Sequence, residues 1–153
     1  MLTIYKASAG SGKTYTLALE YIKTLLGIKL ADGSYRLNGA VPPRLANRHR
    51  NILAITFTNA ATAEMKSRII REISRLAACP GGDTPESAYA GPLTAAFGCS
   101  RESLRKAAEA ALSELLNDYS GFNVSTIDSF FQTVLRTFAR EIDHQGDYEL
   151  ALD

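Results

Sequence analysis

The stretch Ala7-Ser8-Ala9-Gly10-Ser11-Gly12-Lys13-Thr14 constrains what this chain can fold into more than any other. It fits the pattern of a phosphate-binding loop, with alanine where the first glycine usually stands. Small residues let successive backbone N–H groups turn inward as a nest for phosphate oxygens. A helix beginning at Lys13 aims the positive end of its dipole at the same place. Lys13 can then reach the β- and γ-phosphates of a nucleotide such as ATP, and the Thr14 hydroxyl can ligate Mg2+. Such a motif requires a strand before it and a helix after it. Leu2 to Lys6 alternates apolar and polar around the β-formers Thr3, Ile4 and Tyr5, which predicts the strand. Leu17, Ala18, Tyr21, Ile22, Leu25 and Leu26 fall at helical spacing, with Gly27 as the stop. The competing reading is a glycine-rich turn that only joins strand to helix, and the placement favours the phosphate loop.

Two further strand–helix pairs are predicted downstream. Ile52 to Phe57 is a short apolar run suited to a buried strand, and Met65, Ile69, Ile73 and Leu76 trace the apolar stripe of a helix. Phe122 to Ile127 reads as another buried strand, followed from about Ser129 by a helix with Phe130, Phe131, Val134, Leu135 and Phe138 on its apolar side. Between them, Ser100 is an N-cap for a helix that turns Leu104, Ala108, Ala111, Leu112 and Leu115 inward. Residues 27–50 hold three glycines and the Pro42-Pro43 pair, and residues 80–100 are rich in Pro and Gly. Both stretches predict flexible insertions. Strands alternating with helices imply an α/β layer around a parallel sheet.

Composition narrows the classes. With 46% hydrophobic and 22% charged residues in 153, the chain is neither disordered nor of low complexity. A net charge of +1 excludes a wholesale basic nucleic-acid binder. Locally the balance differs: residues 44–75 carry seven Lys and Arg against two Glu, and residues 141–153 carry five acids and no Lys or Arg. Either the first is a surface for a polyanion, or both are solvated faces. Arg136 and Arg140, four apart, offer a small basic edge or another solvated face. Cys79 and Cys99 form no CxxC pair, and His49 and His144 are isolated, so no zinc site, disulfide framework or catalytic histidine is indicated. No apolar run approaches the ~18 residues of a membrane span, and the start lacks a secretory pattern. A soluble, cytoplasmic chain without a membrane partner is expected.

Three motifs in order give a more specific likeness. Ala7–Thr14 with Tyr15-Thr16-Leu17-Ala18 resembles the first motif of the UvrD/RecB family of superfamily-1 DNA helicases. Thr56-Phe57-Thr58-Asn59-Ala60-Ala61-Thr62-Ala63-Glu64-Met65 resembles that family's motif Ia, TFTxxAAxEM. Val124-Ser125-Thr126-Ile127-Asp128-Ser129-Phe130 resembles its TxHxF strand end. RecB-type chains are similar in two details: Ala-Ser-Ala-Gly before Gly-Lys-Thr, and Ala-Ala-Thr after Thr-Phe-Thr. The resemblance implies a RecA-like P-loop NTPase fold, a parallel sheet flanked by helices. Residues 1–153 would be the first part of an ATP-binding domain. It implies ATP and Mg2+ as cofactors. The partners it implies are single-stranded DNA, the remainder of the helicase chain, and a separate nuclease or helicase subunit. Its parent would act 3′→5′ in recombination or repair, with a C-terminal nuclease as an option this stretch does not carry.

Carried over residue by residue, the resemblance assigns Thr56, Phe57, Thr58, Asn59, Thr126, Asp128 and Ser129 to DNA contact. The physical readings beside it differ in places. Thr58 or Asn59 can cap the helix that follows. Phe57 is either core, as apolar strand ends usually are, or an exposed ring on which a base stacks for ~1–3 kcal/mol. Asp128 stands where the family has histidine, and a carboxylate repels phosphate. It reads as a helix cap, as an acceptor for a base amino group, or as an acid holding Mg2+ through water.

No Asp-Glu pair follows on a strand, and no arginine finger from a second lobe is present. The chain is therefore expected to bind nucleotide without hydrolysing it at a helicase-like rate. Two other classes compete with the helicase reading. One is a stand-alone P-loop protein or small kinase, for which only Arg101 lies near the 80–100 segment. The other is a nucleotide-independent DNA-binding module built on residues 44–75.

Overall fold

The computed structural model describes residues 12–38, 47–78 and 85–141, the last three by backbone alone. The strand expected at Leu2–Lys6, the loop residues Ala7–Ser11, Arg44, Cys79 and the acidic tail beyond 141 lie outside the described residues.

Helix α1 runs Lys13–Leu26 and buries Ala18, Tyr21, Ile22, Leu25 and Leu26, the residues whose spacing predicts it. Gly27 ends it, in extended rather than left-handed backbone, and leads directly into a strand. Strands β1 (Gly27–Lys29) and β2 (Tyr35–Leu37) pair antiparallel, Gly27 opposite Leu37. The segment expected as a loop thus begins with a hairpin. Its turn is held by Leu30 N–H donating to Ser34 O at 2.8 Å and by Ser34 N–H donating to Asp32 Oδ1 at 2.9 Å. Asp32-Gly33 is a hairpin signal that the count of glycines hides.

Strand β3 (Ala54–Thr56) pairs in parallel with β4 (Val124–Thr126), Ala54 opposite Val124 and Thr56 opposite Thr126. Both are shorter than the apolar runs that predict them. Helix α2 (Asn59–Ala77) joins the sheet to the rest of the core, burying Met65, Ile69, Ile73 and Leu76 against α1, against α4 (Arg101–Asn117) and behind β4. Each such aliphatic side chain contributes ~1.5–3 kcal/mol by leaving water. Ser100 caps α4, its hydroxyl accepting from Ser103 N–H at 3.1 Å. Leu104, Ala108 and Leu115 are buried on its inward face, with Ala111 and Leu112 partly buried beside them.

The 80–100 segment also differs from expectation. Helix α3 (Ala90–Phe97) forms there, with Ala90, Leu93 and Phe97 in the core. Gly91 and Pro92 read as breakers, yet they occupy its first turn, where a missing N–H removes no intrahelical bond. Helix α5 (Ile127–Glu141) leaves β4 without a loop, two residues earlier than its apolar pattern suggests. Phe131, Leu135 and Phe138 on it are more than half exposed. Among the described residues, no helix is long and apolar enough to cross a membrane.

Candidate functional site

The first turn of α1 carries what is described of the phosphate loop. Gly12 has φ 79° and ψ 21°, left-handed backbone open mainly to glycine, and turns the chain into the helix. Lys13 is exposed and Thr14 half-buried, one behind the other on that turn. Among the described residues, no carboxylate pairs with Lys13. The next residue fastens the turn: the Tyr15 ring lies 4.5 Å from that of Tyr89, and its hydroxyl donates to Ala88 O at 3.3 Å. Tyr89 itself is buried, and burial pushes its phenol pKa up.

A second constellation forms where β3 and β4 end. Because Thr56 stands opposite Thr126 in a parallel pair, residues 57–59 and 127–129 leave the sheet side by side. Carboxyl ends of parallel strands are where open α/β sheets place ligands. Phe57 is 85% exposed, which settles its burial against the core reading. Thr58 caps α2, its hydroxyl accepting from Ala61 N–H at 3.1 Å, while Asn59 is the first residue of the helix. The first N–H groups of α2 and α5 have no partner within their helices and open onto this edge.

Thr56 and Thr126 sit differently from their neighbours. Both are buried, with their hydroxyls engaged inside the protein. Thr56 Oγ1 lies 2.6 Å from Thr62 Oγ1 and 3.2 Å from Thr58 O, and Thr126 Oγ1 accepts from Ser129 N–H at 3.2 Å. Thr126, not Asp128, is therefore the cap of α5. The helix starts at Ile127, so Asp128 already lies inside its first turn, exposed, where a negative charge suits the dipole. The structure thus brings Phe57, Thr58, Asn59, Asp128 and Ser129 to one exposed edge and places Thr56 and Thr126 beneath it.

Most cations of the basic stretch have partners among the described residues. Arg50 pairs with Asp118, Arg68 with Glu64, and Arg71 and Arg75 with the buried Glu72. Lys66 lies over the rings of Tyr119 and Phe122. Arg101, the one arginine near the 80–100 segment, pairs with Glu86.

Two groups escape the sequence reading. His49 is buried with Nε2 at 2.8 Å from Asp118 Oδ2, a carboxylate that also receives Arg50 Nε at 2.5 Å and Arg50 Nη2 at 2.9 Å. Its partner is 69 positions away, beyond any local pattern. Thr62 is the other. It lies in the Ala-Ala-Thr of the motif Ia stretch, and the signal for its bonding is a threonine one turn inside a helix, where Ser and Thr bond back to the carbonyl four residues earlier. Among the described residues, no cluster of His, Cys, Asp or Glu is arranged to hold a metal.

A helix opened by a left-handed glycine and led by Lys-Thr, beside parallel strands whose ends converge, defines the class: a P-loop NTPase domain of RecA-like α/β fold. Residues 2–152 match the UvrD/REP helicase N-terminal domain family, and the chain belongs to it. It is similar to the RecBCD enzyme subunit RecB of Escherichia coli (strain K12), 42% identical over 73 residues, which cover 48% of this chain and 5% of that protein. It is also similar to an ATP-dependent helicase/nuclease subunit of Lactobacillus acidophilus, 27% identical over 151 residues, 98% of this chain and 9% of that one. RecB of Mycobacterium tuberculosis (strain ATCC 25618 / H37Rv) is 27% identical over 148 residues, 97% of this chain and 12% of its own length. The chain therefore spans about an eighth or less of these relatives.

Proposed function

We propose that this chain is the ATP-binding segment of an ATP-dependent DNA helicase that moves 3′→5′ along single-stranded DNA in recombination or repair. The observation that carries it is Phe57, an aromatic ring left 85% exposed at the end of a parallel strand and flanked by two helix N-termini. Burying such a ring is worth more than leaving it in water, so its exposure favours a ligand with a π-face. In this reading a base stacks on Phe57 while Thr58, Asn59, Asp128 and Ser129 contact the strand around it. Thr56 and Thr126 hold the two turns from below.

Mg-ATP belongs at Ala7–Thr14. The described end of that loop fits it: Gly12 supplies the left-handed turn, Lys13 an ammonium without a described carboxylate, and Thr14 a hydroxyl at the helix start. Lys13 would take the β- and γ-phosphates and Thr14 the Mg2+, which neutralises charge on the phosphate oxygens. Relatives named as subunits of RecBCD and of a helicase/nuclease support a partner subunit for the whole protein, with a nuclease in one of them.

Titration of a fluorescent ATP analogue with Mg2+ into wild type and Lys13→Ala tests the nucleotide site. Wild type is expected to bind and the variant to lose most of that affinity. Equal binding would remove the assignment.

A further inference from the structure

We propose that Thr62 is a positioning residue, whose hydroxyl holds the turn that presents Phe57 to single-stranded DNA. The proposal rests on the reading of Phe57 as a stacking residue and adds how the chain keeps that ring in place.

Phe57 lies in a gap between two hydrogen-bond systems. The β3–β4 ladder ends at Thr56 opposite Thr126, and the α2 ladder starts with Thr62 N–H donating to Thr58 O at 3.0 Å. Neither ladder restrains residue 57, and its ring, 85% exposed, has little protein to pack against. The pair Thr56 Oγ1–Thr62 Oγ1 at 2.6 Å spans this gap from strand end to helix.

Counting protons shows the bridge to be complete. Each hydroxyl has one proton. Either Thr56 donates to Thr62 and Thr62 donates to Thr58 O at 3.1 Å, or Thr62 donates to Thr56 and Thr56 donates to Thr58 O at 3.2 Å. Both arrangements satisfy both hydroxyls and end on the carbonyl of the residue after Phe57. The Thr58 side chain meanwhile accepts from Ala61 N–H, so residues 56, 58, 61 and 62 are tied together and the Phe57 ring is left out of these bonds. Threonine is a poorer helix former than alanine, and position 62 is half-buried, so helix stability alone does not call for it. A turn held in its binding geometry loses less freedom when a base docks.

A double-mutant cycle reads this directly, using anisotropy of a fluorescein-labelled oligo(dT) with wild type, Phe57→Ala, Thr62→Val, Thr62→Ser and the Phe57→Ala/Thr62→Val double variant. Phe57→Ala is expected to weaken binding about 5- to 150-fold. Thr62→Val, which keeps the volume and loses the hydroxyl, should weaken it ~3- to 10-fold, the range of one net hydrogen bond. Thr62→Ser, which keeps the hydroxyl, should bind like wild type, and the double variant like Phe57→Ala alone. Unchanged binding by Phe57→Ala would overturn the stacking reading itself. If Phe57→Ala weakens binding, the proposal falls on any of three results: no effect of Thr62→Val, equal losses in the valine and serine variants, or the full valine effect persisting without Phe57. Should Thr62→Val not fold, Thr62→Ala, favoured by helix propensity, carries the same test.

Discussion

Tyr21 faces the core from α1, its ring edge-on to Phe122 with centroids 5.6 Å apart, and its buried hydroxyl has no hydrogen-bond partner among the described residues. Burial pushes its phenol well above the usual tyrosine range, since ionising it there would strand a charge. A buried hydroxyl that gives up water and gains no partner costs ~1–3 kcal/mol. Tyr21→Phe is therefore expected to raise unfolding stability by ~1 kcal/mol, read from urea midpoints at unchanged slope; a loss of stability would show that the hydroxyl has an acceptor. At this scale the sequence is an uneven guide. The Thr58 cap is legible because its partner lies three residues on. Asp128 is not the cap its position suggests, because the start of α5 depends on where β4 stops pairing, and Thr126 takes the bond. The exposure of Phe57 could not be settled from its neighbours, since apolar strand ends are buried more often than not.

Among the elements, the 3-10 turn Arg48–Asn51 that enters β3 and the turn Tyr119–Gly121 that enters β4 are locked together by His49, Arg50 and Asp118. Asn123 Nδ2 adds a bond to Arg50 O at 3.0 Å, so both strands of the parallel pair are clamped just before they begin. Gly121 leaves room for this pairing, because a Cβ there would come to 2.7 Å from Arg50 Cγ and from Asp118 Oδ2 and would force one of them to shift. Hydrogen bonds from Arg50 first and His49 second hold the Asp118 carboxyl below the usual carboxylate range. A carboxyl depressed in the folded state contributes stability that is present above its unfolded value, about 3.9, and lost as pH falls through the lower folded value. Asp118→Asn should accordingly melt below wild type at neutral pH, with the gap closing as pH drops below about 4. A gap independent of pH down to about 2 would show that the carboxylate charge is not what joins the turns.

At the scale of the molecule, the parallel pair is covered on one side. Ala54 and Thr56 are buried, while Leu53, Ile55 and Phe57 between and beyond them are exposed, as pleat alternation requires of a sheet with one packed face. The proposed DNA-contact edge lies at the end of that half-covered sheet, and the described structure shows it without a second layer. Nothing in the 153 residues supplies an Asp-Glu pair at a strand end. Asp128, the acid at one, stands in a helix turn beside Ser129. Hydrolysis also needs a positioned water and a cation on the developing γ-phosphoryl charge, the latter worth ~10³–10⁵ in rate. A phosphate-release assay on this chain should therefore show no turnover near ~1 s⁻¹ with or without single-stranded DNA. DNA-stimulated release at that rate, abolished by Lys13→Ala, would show that this chain holds a catalytic acid and would reopen that role for Asp128.

What the amino-acid order determined by itself is what neighbours within a few residues can encode. The inward stripes of α1, α2 and α4, the caps at Thr58 and Ser100, the lysine and threonine that open α1 after Gly12, and the order of the three motifs all belong here. Each depends on helical spacing or on a side chain reaching its own backbone, so no knowledge of the rest of the chain is needed. Tertiary structure alone decided the rest. Prolines and glycines at 27–38 and 85–100 look like loop in isolation, yet there the chain folds into a hairpin and a buried helix because α4 and the rest of the core offer apolar surface to cover. His49 finds Asp118, and Thr56 comes level with Thr126, only once the sheet closes across some seventy residues. Burial of a polar group is tolerable only with a partner, and which partner arrives is settled by packing at a distance rather than by local pattern.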